Sequence, residues 1–529
     1  MARQGRSLSL RGVVILCLLS GVLLSLAFPP VGAWPLAWIA LVPWIACLRG
    51  SSRGGAFLGS WLGGAAFFGL LVSWLHLFGF SVWLVVTLLL GFELAVWGLV
   101  VRRLGAARPV TRVLGTAVLW CGVEWARGLG AYGFTWGWLG YSQSPALALL
   151  PLARYLGTLG LSFSIVLVNT SLAEIVSAIF RRGSVGAAVG RAVLGGSLAA
   201  ALVGGAGLVR PSGPPPEATV VRAAVVQGNE HGPLTVTDVN RPLSPEERER
   251  TLHAYESLTA EAARRRPVLV VWPESVLPAV PEDDPAVAAR VGAAARENNV
   301  WLLAGGPGSD AAGQITNSAY LYSPIGLQVA RYDKVQLVPF GEYVPRRARL
   351  PFLNRYNVRE FDFVAGAVPR VLQAGTVALG PSICFESTFP TLGWDLTRRG
   401  AQVLVVITND AWFGKTAAAA QHRQIAVLRA VENGRWVLRA ASTGISSIIA
   451  PEGRIVSQAG LYQPAILTAD VQLISRPAPS VRLGPAFGWT MAGLSLVILC
   501  APLVVRGKGR RRPERPPKVR PTARAGRRR

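Results

Sequence analysis

The sequence predicts a polytopic α-helical membrane bundle of about eight spans joined to an α/β domain. Three observations carry that prediction. Apolar runs of bilayer-spanning length fill the first 210 residues and recur near the C-terminus. A breaker-rich stretch, Pro211-Ser-Gly-Pro-Pro-Pro-Glu-Ala218, closes the first set, and short β-branched runs then alternate with helical patterns. A chain of 529 residues with 51% apolar content and 17 Trp is too long and too apolar at its start for one soluble domain.

The spanning runs lie at 11–27, 56–75, 80–101, 159–180, 187–209 and 485–505, with two shorter or weaker ones at 31–48 and 112–128. Arg3, Arg6 and Arg11 precede the first run as in a cleaved leader. No small-residue cleavage site follows, however, and Phe28-Pro-Pro30 leads into more apolar sequence, so the run reads as a retained span. The expected organisation is a seven-span bundle over 1–210, the α/β domain over 219–475, an eighth span at 485–505 and a basic tail at 506–529.

Lys and Arg near span ends stay on the cytoplasmic side. Arg49 and Arg53, then Arg102, Arg103, Arg108 and Arg112, then Arg181, Arg182 and Arg191 occupy every second loop, whereas 28–33 and 76–79 carry no Lys or Arg. The N-terminus is therefore expected inside and the α/β domain outside. The tail holds twelve Lys or Arg against one acid, Glu514, and supplies +11 of the net +26. Beside a membrane exit, such a run anchors topology and meets anionic headgroups rather than nucleic acid, and its composition predicts disorder.

Cys17, Cys47, Cys121 and Cys500 lie in apolar runs, which leaves Cys384 as the thiol outside the bilayer, without disulfide partner or metal-ligand spacing. Only four His occur, none beside Cys384 in sequence, which argues against a Cys-His dyad. In the α/β domain, strands are expected at 219–226, 268–272, 300–304, 317–323, 376–384, 402–408, 435–442 and 465–471. Helices are expected at 245–266, 284–298, 388–399 and 417–433. Residues 340–370 show no clear period and read as a loop bordering the site.

Three strand-like runs end in reactive groups: Val268-Leu-Val-Val-Trp272 before Glu274, Leu327-Gln-Val-Ala-Arg-Tyr-Asp333 before Lys334, and Thr376-Val-Ala-Leu-Gly-Pro-Ser-Ile383 before Cys384. Alone, each has a plain reading as a turn carboxylate, a solvated lysine and a buried core thiol. Together they form what cysteine acyl transfer needs. A thiol titrating near 8.5 needs a base, for which Glu274 serves, and an ester's tetrahedral oxyanion needs donors, for which Lys334 and the Phe385 amide are candidates. Glu342 would hold Lys334 charged, and Glu386 would shape the pocket.

Trp272-Pro-Glu, Tyr332-Asp-Lys-x-x-Leu-Val-Pro-Phe-Gly-Glu-Tyr-Val-Pro345 and Ile383-Cys-Phe-Glu386 resemble the nitrilase superfamily. Within it the chain resembles the apolipoprotein N-acyltransferases, through Asn409-Asp-Ala-Trp-Phe-Gly414, Gln421-His422, Arg429-Ala-x-Glu432-x-Gly-Arg435 and Arg439-Ala-x-x-Thr443-Gly444. The membrane part shares in this, through Phe28-Pro-Pro-x-Gly-x-Trp34-Pro, Glu124-Trp-x-Arg127 and Gly133-Phe-Thr-Trp136-Gly-Trp-Leu-Gly-Tyr141. The resemblance implies an αββα sandwich on the outer side of a bacterial cell membrane and a Glu274-Lys334-Cys384 triad supported by Glu342. It implies ping-pong transfer of a phospholipid acyl chain, through a cysteine thioester, to the α-amino group of diacylglyceryl-cysteine on an apolipoprotein, with no metal or soluble cofactor.

Some residues depart from the pattern. No Trp follows Gln227-Gly-Asn229 before Trp272, Phe385 stands where Tyr is common, and Thr135 where Pro is usual. Trp412, Glu124, Arg127, Trp136 and Tyr141 are candidates for substrate contact. Glu93 and Glu124 are intramembrane carboxylates, functional by default, although Glu124 with Arg127 at i,i+3 also reads as a structural pair. The Trp-rich stretch 120–138 reads as an interfacial aromatic belt or as a wall for phospholipid entry. Two other functions compete: a membrane-tethered amidase or nitrilase hydrolysing a C–N bond, and a non-catalytic membrane scaffold. Presence of all three reactive residues weighs against the scaffold.

Overall fold

The computed structural model describes residues 8–180, 185–208, 219–230, 243–346, 349 and 361–505. The linker at 211–218, the residues following Glu230 up to 242 and the basic tail lie outside the described residues. The membrane part comprises α1 (Leu10–Leu26), α2 (Val42–Leu48), α3 (Arg53–Leu71), α4 (Phe80–Leu104), α5 (Pro109–Arg127), α6 (Pro151–Leu156), α7 (Thr158–Phe180) and α8 (Val185–Leu208). Among the described residues, α3, α4, α7, α8 and a C-terminal helix over Ser480–Val505 are long and apolar enough to cross a bilayer. Helix α1 is shorter at 17 residues, and α5 carries Arg112, Glu124 and Arg127.

The run at 31–48 is not one helix. A 3-10 turn at Trp34–Trp38 precedes α2, with Pro35 and Pro43 near the two starts. The polar groups exposed by the break find side-chain partners: Leu41 N–H donates to Asn169 Oδ1 (2.8 Å), Asn169 Nδ2 to Ala37 O (2.8 Å) and Trp44 N–H to Ser20 Oγ (3.0 Å). Lipid supplies no such partners, so broken backbone at membrane depth depends on them. Elsewhere small residues bring helices together. A Cβ on Gly21 of α1 would lie 2.2 Å from the Gly63 carbonyl oxygen of α3.

Arginines gather at one end of this bundle. Arg49 and Arg112 both pair with buried Glu174 of α7, and Arg102 Nε donates to Ser51 O (2.7 Å). The α/β domain touches the opposite end, where Gln421 Nε2 donates to Pro29 O and Leu71 O (3.0 Å each) and Gln336 Nε2 to Ala131 O (3.2 Å).

That domain contains β1 (Val220–Gln227), α9 (Pro245–Ala263), β2 (Leu269–Val271), α10 (Pro285–Glu297), β3 (Trp301–Ser309), β4 (Ile315–Tyr322), β5 (Gln328–Asp333), β6 (Leu372–Ala374) and β7 (Val377–Ile383). There follow α11 (Pro390–Arg398), β8 (Val403–Thr408), α12 (Ala418–Asn433), β9 (Trp436–Ala441), β10 (Ser447–Ile449), β11 (Ile455–Gln458) and β12 (Ala465–Gln472), and the C-terminal helix is α13. Two six-stranded sheets run in the orders β12-β1-β2-β3-β4-β5 and β11-β10-β9-β8-β7-β6. Each has three parallel strands at its centre, β1-β2-β3 and β7-β8-β9. Their facing sides bury Val225, Leu303, Leu379, Val405 and Leu438 between them, and α9 and α10 cover the outer side of the first sheet.

Helices α11 and α12 cover the second sheet, and here the core does not stop. One apolar cluster runs from Phe67, Trp120 and Trp125 of the bundle through Trp394 and Val427 to Leu404 and Val437 of the sheet. The expected strands and helices are all present within a few residues, except that β3 runs on to Ser309. Strands β6, β10 and β11 were not expected; β6 and β10 have three residues each, too few to display a period, and β11 alternates only between half-buried and exposed.

Candidate active site

Glu274 lies three residues beyond β2, and Lys334 and Cys384 are the first residues past β5 and β7. Carboxyl ends of central strands gather functional groups in open α/β sheets. Glu274 can lie against β3 because residue 305 is Gly: a Cβ there would fall 2.5 Å from Pro273 O and 2.7 Å from Glu274 Cα. Lys334 Nζ is 2.8 Å from Glu342 Oε1 and 3.9 Å from Glu274 Oε1. Asn317 Nδ2 donates to both carboxylates (2.8 and 2.9 Å), Glu274 Oε2 accepts from Asn409 N–H (2.7 Å), and Glu342 Oε2 accepts from Val338 N–H (2.8 Å).

Glu274, Lys334 and Glu342 are all buried. Burial raises the Glu274 pKa, opposed by Lys334 and reinforced by Glu342. Burial alone would depress Lys334, but Glu342, Glu274 and Cys384 outweigh it and hold the ammonium charged. The Cys384 thiol is pushed up by burial and by the Glu274 charge, with Lys334 opposing. Burial and the Glu274 charge thus favour the thiol form of Cys384, and Glu274 is close enough for its charge to act on that thiol.

Cys384 has φ +55°, a left-handed turn that opens a 3-10 helix over Cys384–Thr388. Phe385 lies in the first turn of that helix, where N–H groups lack intrahelical partners. Glu386 braces the turn: it accepts from Ile383 N–H (2.7 Å), Val335 N–H (2.6 Å), Gln336 N–H (3.0 Å) and Tyr332 OH (3.0 Å), tying the Cys384 turn to the segment after Lys334. Burial lifts Glu386 to about 7 against the lowering effect of Lys334 and these donors. Behind the turn His422 Nε2 lies 3.2 Å from Cys384 O and 2.8 Å from Ser387 Oγ. Its Nδ1 lies 3.3 Å from Asp410, which pairs with Arg439. Burial and Arg439 lower His422 and favour its neutral ring, while Arg439 and His422 hold Asp410 ionised despite burial.

Residues 222–476 match a family model described as carbon-nitrogen hydrolase, and residues 20–171 match one described as the apolipoprotein N-acyltransferase N-terminal domain. An apolipoprotein N-acyltransferase of Geobacter metallireducens is 38% identical over 92% of this chain and 95% of its own length. That of Photobacterium profundum is 30% identical over 96% and 98%. The chain belongs to the apolipoprotein N-acyltransferase family. Among solved structures, a nitrilase-superfamily amidase from Nesterenkonia AN1 aligns over 52% of this chain and 99% of its own, with 24% identity and a TM-score of 0.39.

In this member of the family, Glu274, Lys334, Cys384, Glu342, Phe385 and Glu386 come together. The other candidate residues lie apart from that cluster. Trp412 stacks on Phe78 of the bundle (6.2 Å), Trp136 Nε1 donates to Gln421 Oε1 (2.7 Å), and Tyr141 OH donates to Thr388 O (3.1 Å). The ion pair weighed for Glu124 and Arg127 is not the one formed. Arg127 pairs with Glu93 (3.6 Å) and donates to Phe134 O (3.0 Å), while Glu124 accepts from Trp120 Nε1 (2.9 Å) and Leu139 N–H (2.6 Å). Their positions on neighbouring helices let Glu93 reach Arg127, which spacing along one helix does not reveal.

Sequence reading passed over Asn317, Asp410, His422 and Arg439 as site residues. Asn317 opens the strand expected at 317–323, and an amide on a buried strand needs a polar partner, which was the available signal. A histidine distant in sequence does approach Cys384: His422 arrives from α12 at the backbone carbonyl.

Proposed function

We propose that this enzyme transfers a fatty acyl chain from a membrane phospholipid, through a thioester on Cys384, to the N-terminal α-amino group of diacylglyceryl-cysteine in apolipoproteins. One observation carries the reading. The buried Lys334 ammonium lies between two carboxylates and within electrostatic reach of the Cys384 thiol, on a domain whose second helical layer shares its core with the bundle.

In the first half-reaction Glu274 takes the Cys384 proton and the thiolate attacks the ester carbonyl. The Lys334 ammonium and the Phe385 N–H receive the oxyanion. Collapse breaks the ester C–O bond, and Glu274 returns the proton to the leaving lysophospholipid oxygen. In the second, the acceptor amine attacks the thioester, Glu274 takes its proton, and the released thiolate regains one. Glu342 and Asn317 keep Lys334 and Glu274 apart in role: one carboxylate neutralises the ammonium, the other stays free to move protons.

Seven spans before the domain and one after it, with the domain outside a bacterial cytoplasmic membrane, fit this chemistry. The gathering of Arg49, Arg102 and Arg112 at the end opposite the domain supports that orientation. A reporter active only outside the cytoplasm is expected to work when fused near Gly308 and to fail after Arg512; the reverse result would invert the orientation. The decisive test of function is intact-mass analysis of the purified protein with phospholipid and no acceptor. An acyl adduct on Cys384 is expected, whereas ammonia release from amides without an adduct would favour a hydrolase.

A further inference from the structure

The five-residue 3-10 helix that carries the nucleophile has few hydrogen bonds of its own, and both its ends lean on the membrane bundle. At the far end the Thr388 carbonyl accepts from Thr135 Oγ1 (2.8 Å), Tyr141 OH (3.1 Å) and Arg429 Nη1 (3.4 Å). The first two donors belong to the bundle segment that follows α5. At the near end the Cys384 carbonyl is held by Ser387 Oγ (2.8 Å) and His422 Nε2 (3.2 Å). The residue before His422, Gln421, is fixed by Trp136 Nε1 (2.7 Å) and itself donates to Pro29 O and Leu71 O. The Trp136 ring lies 5.6 Å from the imidazole.

We propose that Thr135, Trp136 and Tyr141 are positioning residues for Cys384, so that the bundle completes the acylation site as well as anchoring it. The contacts form a continuous chain: Ser387 and His422 reach the Cys384 carbonyl, and His422 Nδ1 in turn lies 3.3 Å from both Asp410 Oδ1 and Arg439 Nη2. Thr135, Trp136, Tyr141, Gln421 and His422 are all buried, so water does not replace a lost partner. A left-handed cysteine persists only where its surroundings fix it, and a misplacement of about 1 Å can cost a hundredfold in rate.

This inference rests on Cys384 being the acyl carrier, and the experiment separates the two. Full-length enzyme in detergent is compared as wild type, Thr135→Val/Tyr141→Phe, Thr135→Ser and Trp136→Phe. Three readouts are taken: the pH profile of Cys384 alkylation by iodoacetamide, read by peptide mass spectrometry, the single-turnover acylation rate against phospholipid concentration, and the unfolding temperature. The double variant is expected to lower the saturating acylation rate by roughly tenfold to a hundredfold. It should also shift the alkylation profile and leave the half-saturating phospholipid concentration unchanged. Thr135→Ser keeps the hydroxyl and should stay within about twofold of wild type, with Trp136→Phe between them. An unchanged saturating rate and alkylation profile overturn the proposal. So does a raised half-saturating concentration at full rate, which would make these residues substrate contacts. Should the double variant fail to fold, Tyr141→Phe and Trp136→Phe alone carry the same readouts. A wild type that takes no acyl group on Cys384 would refute the function, yet the alkylation comparison would still decide the positioning.

Discussion

Helices α9 and α12 lie in matching layers of the sandwich, one on each sheet, and both have polar sequences. Helix α9 starts at a Ser244/Glu247 capping box and buries one stripe, Leu252, Tyr255, Thr259 and Ala262, while its Glu and Arg residues face outward. Helix α12 ends at Gly434 in the left-handed conformation and has fourteen of its sixteen residues buried. Its polar residues form the joint between domain and bundle instead of a wet face. Glu432 accepts from Thr158 N–H and Oγ1 of the bundle (2.5 Å each) and pairs with Arg429 (2.7 Å). Polarity in a helix therefore does not identify its solvent side when a second body can satisfy it.

The comparison assigns chemistry to the inner layer and ordinary solvation to the outer one, and substitutions can break that assignment. The largest effect is expected at the nucleophile: Cys384→Ala and Cys384→Ser abolish transfer, leaving lipoproteins with free N-termini, while the unfolding temperature holds. Transfer near the normal level in either variant would remove Cys384 from the mechanism.

Next comes Lys334. A planar guanidinium does not replace a compact ammonium packed 2.8 Å from Glu342, so Lys334→Arg should be nearly as harmful as Lys334→Ala in single-turnover acylation. Recovery of most activity by Arg would reduce Lys334 to a general positive charge.

Glu274→Gln should slow thioester formation and its aminolysis alike, by roughly a hundredfold to ten-thousandfold, because one carboxylate serves both half-reactions. In wild type the acylation rate should fall as pH drops through the raised Glu274 pKa, above the usual carboxylate range, since the protonated acid cannot take the thiol proton. In the Gln variant that limb should vanish. Normal loading of Cys384 by Glu274→Gln, with a stall only afterwards, would move the first base to Glu342 or Glu386.

The smallest effects test the two helices against each other. Glu432→Gln leaves Arg429 without its buried carboxylate and should destabilise by roughly 3 kcal/mol. Glu249→Gln on exposed α9 should change stability by no more than about 0.5 kcal/mol. Equal shifts in a denaturant titration would erase the distinction drawn between the layers.

Much of this was legible in the sequence where a local pattern reports burial. The runs 268–272 and 376–384 revealed strands and, at their ends, Glu274 and Cys384, because a fully buried central strand is apolar throughout. What stayed illegible depends on partners distant in the chain. The 31–48 run was apolar enough to suggest a span, but its break is tolerated only because Asn169, more than a hundred residues later, accepts the freed N–H. Trp136 and Tyr141 have the composition of a membrane belt or a lipid wall. Only the approach of Gln421 and Thr388, some 250 residues or more away, distinguishes a joint from either.

The left-handed turn at Cys384 has a consequence for heat tolerance. Such a backbone costs a side-chain-bearing residue about 1–2 kcal/mol, a cost that glycine escapes. Selection for stability alone would favour Gly at this position, and selection for activity forbids it. With Cys384 as the proposed acyl carrier, the fold carries a fixed handicap at that residue, so any more thermostable descendant must gain its margin elsewhere in the chain.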